Sequence, residues 1–286
     1  MRRLLVAVLA TVLLLAGCSV GAEPAPEVEV TGGAGQEPTL VYAHPLAIEQ
    51  ATSEVIWEGS GPSLVDGGPV LLNYRLEKAV DATLVKETFT QVPKPSTLTP
   101  ETLSEDLYDA LSGESVGARI LLVLPATSDT SSFASVMVVD VLPTRAAGET
   151  VSLREGLPAV TLGGDGEPTI ATPAGDPPGA LVVQALIKGD GTQVEEGATV
   201  TVQYTGVRWS DGSLYDSTWT QGEPKSFDLG DGILPGLAEG LVQQTVGSQV
   251  MLVIPPMVGA AAGSEQDTLV FVVDILAASN PTAEQG

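Results

Sequence analysis

Thr199-Val200-Thr201-Val202-Gln203-Tyr204-Thr205-Gly206-Val207 sets Val200, Val202 and Tyr204 on one side of an extended chain and Thr201, Gln203 and Thr205 on the other. A period of two predicts a half-buried strand. The approach to this strand, Gly189-Asp190-Gly191 through Gly197, has an earlier counterpart in Gly59-Ser60-Gly61 through Gly67. The offset is a constant 130 positions, so that Val70 stands for Val200 and Tyr74 for Tyr204. It returns downstream, where Val116-Gly117 to Pro125 overlies Val246-Gly247 to Pro255. After a further shift of four positions, Met137-Val138-Val139-Asp140-Val141-Leu142 overlies Phe271-Val272-Val273-Asp274-Ile275-Leu276. Distant blocks sharing one offset predict a tandem duplication, with copies at 39–146 and 180–279 and a tail at 280–286. The Gly- and Pro-rich stretch 147–179 between them is expected to be a linker, with room for an extra paired strand.

The other periodic segments of the second copy agree with a β-rich domain. Val250 to Ile254 is an apolar run of strand length, and Leu269, Phe271, Val273 and Ile275 alternate with their neighbours. Only Pro235 to Thr245 predicts a short helix, with Leu237 and Leu241 on one face and Gly247 as the stop. The expected fold class is α+β, each copy an antiparallel β-sheet curled around a short α-helix.

The N-terminus predicts where the chain works. Arg2 and Arg3 precede the apolar run Leu4 to Ala16, which is shorter than the roughly 20 residues needed to span a bilayer. It therefore has the form of a signal peptide, residues 1–17. Leu15-Ala16-Gly17-Cys18 resembles a bacterial lipobox, in which Cys18 becomes the acylated mature N-terminus. The expectation is a protein held at the extracytoplasmic face of the cell membrane by two acyl chains, each burying about 0.8 kcal/mol per CH₂. Residues 18–38, rich in Gly, Pro, Glu and Ala, are expected to be a flexible tether. Cys18 is the sole cysteine, so no intrachain disulfide forms. The chain carries 12 basic and 36 acidic residues, a net charge of −24, which excludes nucleic acid as a partner on electrostatic grounds.

In order along the second copy come Val200 to Gly206, Asp211-Gly212-Ser213-Leu214-Tyr215-Asp216-Ser217 and Phe227-Asp228-Leu229-Gly230. Ile233-Leu234-Pro235-Gly236-Leu237, Val246-Gly247 and Thr268-Leu269-Val270-Phe271 follow. In this order and at these intervals, residues 180–279 resemble the FKBP-type peptidyl-prolyl cis-trans isomerases. The resemblance implies rotation about X-Pro bonds, with X-Pro segments of exported polypeptides as substrate, macrolides as inhibitors and no cofactor. It implies further that Tyr204, Tyr215, Phe227, Leu237 and Phe271 wall and floor an apolar cup. Ile233 and Leu234 are its rim, the Leu234 backbone N–H facing a substrate carbonyl, and Asp216 is its polar wall group.

Three departures from the family pattern predict modest turnover. Leu237 stands where the family usually has tryptophan, Ala260 stands about where it carries a tyrosine hydroxyl, and the loop from Pro256 to Phe271 is short. In the first copy Tyr215, Asp216 and Phe271 become Val85, Lys86 and Met137, leaving only Tyr74 of the cup. Residues 39–146 are therefore expected to be a degenerate copy. The reading from another class is a non-catalytic module that binds proline segments as a chaperone. A solute-binding lipoprotein shares the anchor but not the β-rich pattern. His44 has no Cys or second His beside it, and the Asp228 to Asp231 turn lacks calcium-loop spacing, so no metal is expected.

Overall fold

Glycine turns separate short alternating runs over most of this chain, and the runs pair as antiparallel strands. The computed structural model describes residues 27–126, 132–230, 233–256 and 267–281. The signal segment, Cys18 and Ala260 lie outside the described residues.

The first sheet is built from β3 (Thr52–Trp57), β4 (Pro69–Lys78), β5 (Leu84–Glu87), β6 (Lys94–Thr97), β7 (Arg119–Leu124) and β8 (Ser135–Leu142), in the order β3-β7-β8-β4-β5 with β6 also on β4. A hairpin of β1 (Val28–Thr31) and β2 (Thr39–Tyr42) precedes it, and α1 (Glu105–Leu111) lies between β6 and β7. The chain then passes through β9 (Glu149–Thr150) and a hairpin of β10 (Val160–Leu162) and β11 (Pro168–Ile170). The second sheet comprises β12 (Val182–Lys188), β13 (Thr199–Arg208), β14 (Leu214–Ser217), β15 (Lys225–Asp228), β16 (Gln249–Ile254) and β17 (Leu269–Ser279), with α2 (Pro235–Leu241) between β15 and β16. Its order is β12-β16-β17-β13-β14, with β15 on β13 and β9 added beyond β12.

The two sheets agree in strand order and in detail. Bulges fall between Val55 and Trp57 in β3 and between Ala185 and Ile187 in β12, again 130 positions apart. Tyr74 faces Val139 across the first sheet and Tyr204 faces Val273 across the second. The repeated glycines answer to close approach: a Cβ on Gly59 would stand 2.3 Å from the Ser115 carbonyl oxygen, and one on Gly189 2.3 Å from that of Val246. No side chain fits at either position.

One face of each sheet is the domain core. Val200, Val202, Leu252, Ile254 and Val273 pack against Leu237 and Leu241 of α2, which starts at Pro235 where a fixed φ suits the first helical position. Val70, Leu72, Ile120, Leu122 and Val139 pack likewise with Leu111 of α1, whose N-cap Ser104 Oγ accepts the Leu107 N–H at 3.3 Å.

The opposite faces correct the sequence reading of 27–38 as tether and of 147–179 as linker; residues 18–26 lie outside the described residues. Residues 28–42 form a hairpin, and its Val28, Val30, Leu40 and Tyr42 cover Leu121, Val123, Val136 and Val138. In the second half, Leu157, Val160 and Ile170 do the same for Val207, Met251, Val253 and Val272. The two hairpins share a register, Val30 opposite Leu40 and Val160 opposite Ile170. Glu37-Pro38-Thr39-Leu40 and Glu167-Pro168-Thr169-Ile170 also stand 130 positions apart, so each hairpin belongs to its repeat. What the composition disguises as tether and linker is the lid of a second, outer core, since apolar residues on both faces of a sheet need cover on both.

Candidate active site

β13 sets the site. Tyr204 follows Val202 by two residues, so its ring falls on the α2 side with the core. Its backbone is locked in place because the Tyr204 N–H donates to Thr218 Oγ1 at 2.8 Å and the Thr218 N–H donates to the Tyr204 carbonyl at 3.0 Å. Next along the same face is Gly206. A Cβ there would stand 2.5 Å from Phe271 Cε1, so the missing side chain is the space the Phe271 ring occupies. Phe271 comes from β17, directly opposite Gly206 in the register.

Three further aromatic contacts complete the group. The Tyr204 ring lies 5.8 Å from Phe271, at 63°, and 6.1 Å from Phe227 of β15. Tyr215 of β14 meets Phe271 edge to face at 5.9 Å and 84°. These are the separations and tilts that ring quadrupoles favour. Tyr204 and Phe271 are buried, whereas Tyr215 and Phe227 are partly exposed, so the cluster opens to solvent on one side. Leu237 of α2 is buried beneath, and Ile233 and Leu234 at the start of α2 pack against the same cluster, partly exposed. All seven apolar residues singled out from the sequence are thus brought together.

Asp216 is the polar member. Tyr204 Oη donates to its Oδ2 at 2.5 Å, and its Oδ1 accepts the Ser217 N–H at 2.9 Å and Gln221 Nε2 at 3.0 Å. Burial, and then the Asp216 carboxylate, push the Tyr204 hydroxyl well above the usual tyrosine range, so it stays a proton donor at every physiological pH. The arrangement holds a carboxylate at the edge of an apolar, water-poor surface with its oxygens aimed by three donors. Leu234 is the N-cap of α2, its carbonyl accepting the Leu237 and Ala238 N–H groups.

Sequence reasoning missed Thr218, Gln221 and Arg208. Arg208 stacks its guanidinium 5.3 Å from the centre of the Tyr215 ring, and Gln221 reaches back five residues to Asp216. Thr218 was legible in the repeat: Thr88, 130 positions earlier, makes the same bonds to Tyr74. In the first copy Lys86 takes the place of the carboxylate and lies 5.9 Å over the Tyr74 ring. Cation on aromatic face replaces hydroxyl on carboxylate, and Ser96 faces Val70 in β4 where Phe227 faces Val200 in β13.

Fold and site together define a protein of the class in which a twisted antiparallel sheet and one short helix present an aromatic surface for an apolar ring, edged by a single carboxylate. The family description "FKBP-type peptidyl-prolyl cis-trans isomerase" matches residues 190–276. An "FK506-binding protein" of Streptomyces anulatus is 35% identical over 119 residues, covering 39% of this chain and 96% of that protein. The "FKBP-type peptidyl-prolyl cis-trans isomerase FkpA" of Escherichia coli is 40% identical over 101 residues, covering 34% of this chain and 37% of that protein. The chain belongs to the FKBP-type peptidyl-prolyl cis-trans isomerase family.

Proposed function

We propose that the second repeat accelerates cis-trans exchange of X-Pro bonds in exported polypeptides, working from a lipid anchor at Cys18 on the outer face of the cell membrane, and that the first repeat is a degenerate copy without activity. The observation that carries the reading is the ring group of Tyr204, Tyr215, Phe227 and Phe271 edged by the Tyr204–Asp216 hydrogen bond.

The chemistry needs no bond to break. Amide resonance raises a barrier of about 18–20 kcal/mol, and it demands a planar, charge-separated C–N unit. A proline ring seated on the aromatic surface leaves its preceding amide in a place poor in water, where that charge separation is less favourable and the twisted form is relatively preferred. Asp216, held by Tyr204, Ser217 and Gln221, supplies a fixed dipole beside it. Preferential binding of the twisted amide by roughly 4–8 kcal/mol corresponds to acceleration of about a thousand- to a million-fold.

Hydrolysis-coupled turnover of an X-Pro tetrapeptide is the test. Asp216→Val is expected to lower kcat/KM about five- to a hundred-fold, the loss of roughly 1–3 kcal/mol of a contact to a charged group, and Asp216→Asn to lower it less. Lys86→Ala should leave it unchanged. Proline-peptide binding without turnover in the wild type would favour the chaperone reading instead, to which Leu237 and Ala260 incline the site by leaving out area and a hydroxyl. Membrane residence is tested apart: Cys18→Ser should release the protein into the soluble fraction, and unchanged fractionation of that variant would refute the anchor.

A further inference from the structure

A cavity of about 970 Å³ lies between the two sheets, at the upper end of the about 300–1,000 Å³ typical of small-ligand sites. Trp57, Pro62 and Val141 wall it on the side of the first sheet, Ile187, Gln203 and Trp219 on the side of the second, and the β10–β11 turn 162–166 contributes an edge. None of the eight aromatic-cluster residues, Asp216 included, lines it. It sits on the other face of β13, where the odd-numbered Gln203 points away from Tyr204.

Its floor holds a row of polar side chains that has a solved counterpart within the same molecule. Gln203, Asp274 and Gln249 stand abreast on β13, β17 and β16. Asn73, Asp140 and Arg119 stand abreast in the same places on β4, β8 and β7. The first row is occupied by peptide backbone: Arg119 donates to the carbonyls of Gly32, Gly33 and Gln36 at 3.0, 3.3 and 2.8 Å, holding the β1–β2 turn. Among the described residues the second row holds no such turn, and the backbone meets it at Asp274 alone, whose Oδ2 accepts the Ala146 N–H at 2.8 Å. Gln249 Nε2 donates to Asp274 Oδ1 at 2.7 Å, and the β10–β11 turn is held by Arg145, whose Nη1 donates to the Gly164 carbonyl at 3.3 Å. Gln203, 1% exposed, is left with an Oε1 that has no partner among the described residues, and so is the Trp219 Nε1–H.

We propose that this cavity is a second peptide-binding site, which takes the backbone of a short, uncharged, glycine-rich segment of another polypeptide where the first repeat takes its own β1–β2 turn. An unpaired acceptor and an unpaired donor are the complement of a peptide group, and the amide of Gln203 pairs with one whichever way round it lies. Trp219 donates to a ligand carbonyl and Gln203 accepts a ligand N–H, while Trp57, Pro62 and Val141 cover small apolar side chains. Asp140 is neutralised by Arg119, and Asp165 and Asp274 outnumber Arg145 among the remaining charges of the walls, which disfavours an anionic segment. The site is independent of proline and of the aromatic cluster.

The full chain has three tryptophans, so a ¹⁵N spectrum shows three indole N–H signals, of which Trp219→Phe identifies one. The probe is a capped, proline-free peptide alternating glycine with leucine. The Trp219 signal is expected to shift saturably on titration while that of Trp209, whose Nε1 already donates to the Gly175 carbonyl at 3.0 Å, stays in place. Gln203→Leu should weaken binding about three- to tenfold, one hydrogen bond's worth, and Asp216→Val should leave it unchanged even as turnover falls. If Gln203→Leu loses amide dispersion, Trp219→Phe measured by calorimetry should show the same weakening. A stationary Trp219 signal at millimolar peptide, or undiminished affinity in the folded variants, overturns the proposal without touching the isomerase reading.

Discussion

At the scale of single residues, Gly206 and Asp274 show how much depends on what stands opposite in the sheet. Gly206→Ala puts a methyl 2.5 Å from the Phe271 ring, and the strand on either side cannot give. Overpacking of this kind costs about 1–3 kcal/mol. Chemical denaturation should show that loss, with a fall in kcat/KM as the ring is displaced from Tyr204 and Tyr215. Asp274 is nearly enclosed, and burial raises its pKa from 3.8 to about 6, opposed by the Ala146 N–H, by Gln249 and by Arg145. The folded protein therefore binds more protons than the unfolded chain between those two values, and stability falls as pH rises through that window. The shift of about two units corresponds to roughly 3 kcal/mol. Asp274→Asn should flatten this part of the profile relative to the wild type in urea titrations at pH 4, 5 and 6; parallel profiles would show that Asp274 is not the group responsible.

Elements carry the difference between the two repeats. At the same position in β7 and β16 one repeat has Arg119 and the other Gln249. Arg119 is fully buried, pairs with Asp140 at 2.5 and 2.7 Å, and stacks 4.4 Å from the Trp57 ring, so the β1–β2 hairpin is held to the sheet by a cation with every partner in place. Arg75, bonded to Glu37 and to Glu77 at 2.6 Å, adds a second clasp. Arg119→Gln copies the second repeat into the first and leaves Asp140 buried without its cation. Removing one member of a buried pair costs about 3–5 kcal/mol. The first repeat should then melt earlier, and amide exchange in 28–42 should quicken before that of β4 and β8; uniform exchange would mean that the hairpin is held by its apolar contacts alone.

For the whole molecule, the duplicated unit is longer than its conspicuous motifs. A fragment beginning at 39 loses β1 and bares Leu121, Val123, Val136 and Val138 of the outer core, whereas one beginning at 27 keeps them covered. The fragment 27–146 should unfold cooperatively and at a higher denaturant concentration than 39–146. In the second half, 150–281 should outlast 180–281 for the same reason, since the latter lacks β10 and β11 over Val207, Met251 and Val253. Equal midpoints within either pair would show the hairpins to be dispensable.

The periodicity of residues 199–207, the 130-position offset and the spacing of Tyr204, Tyr215, Asp216, Phe227 and Phe271 were enough to determine strand identity, the duplication and the composition of the aromatic cluster. Each depends on pattern within a segment or on identity between segments, and both are written along the chain. The hairpins were obscured because Gly, Pro and Glu are as fitting in a tight turn as in a tether; only the outer apolar faces of the sheets reveal which is present, and a face exists only once strands are paired. The same limit hid Thr218, Gln221 and Arg208 around the site, and the row of Gln203, Asp274 and Gln249. Three residues separated along the chain become neighbours through strand register, and whether each finds a partner depends on what the rest of the fold brings to them.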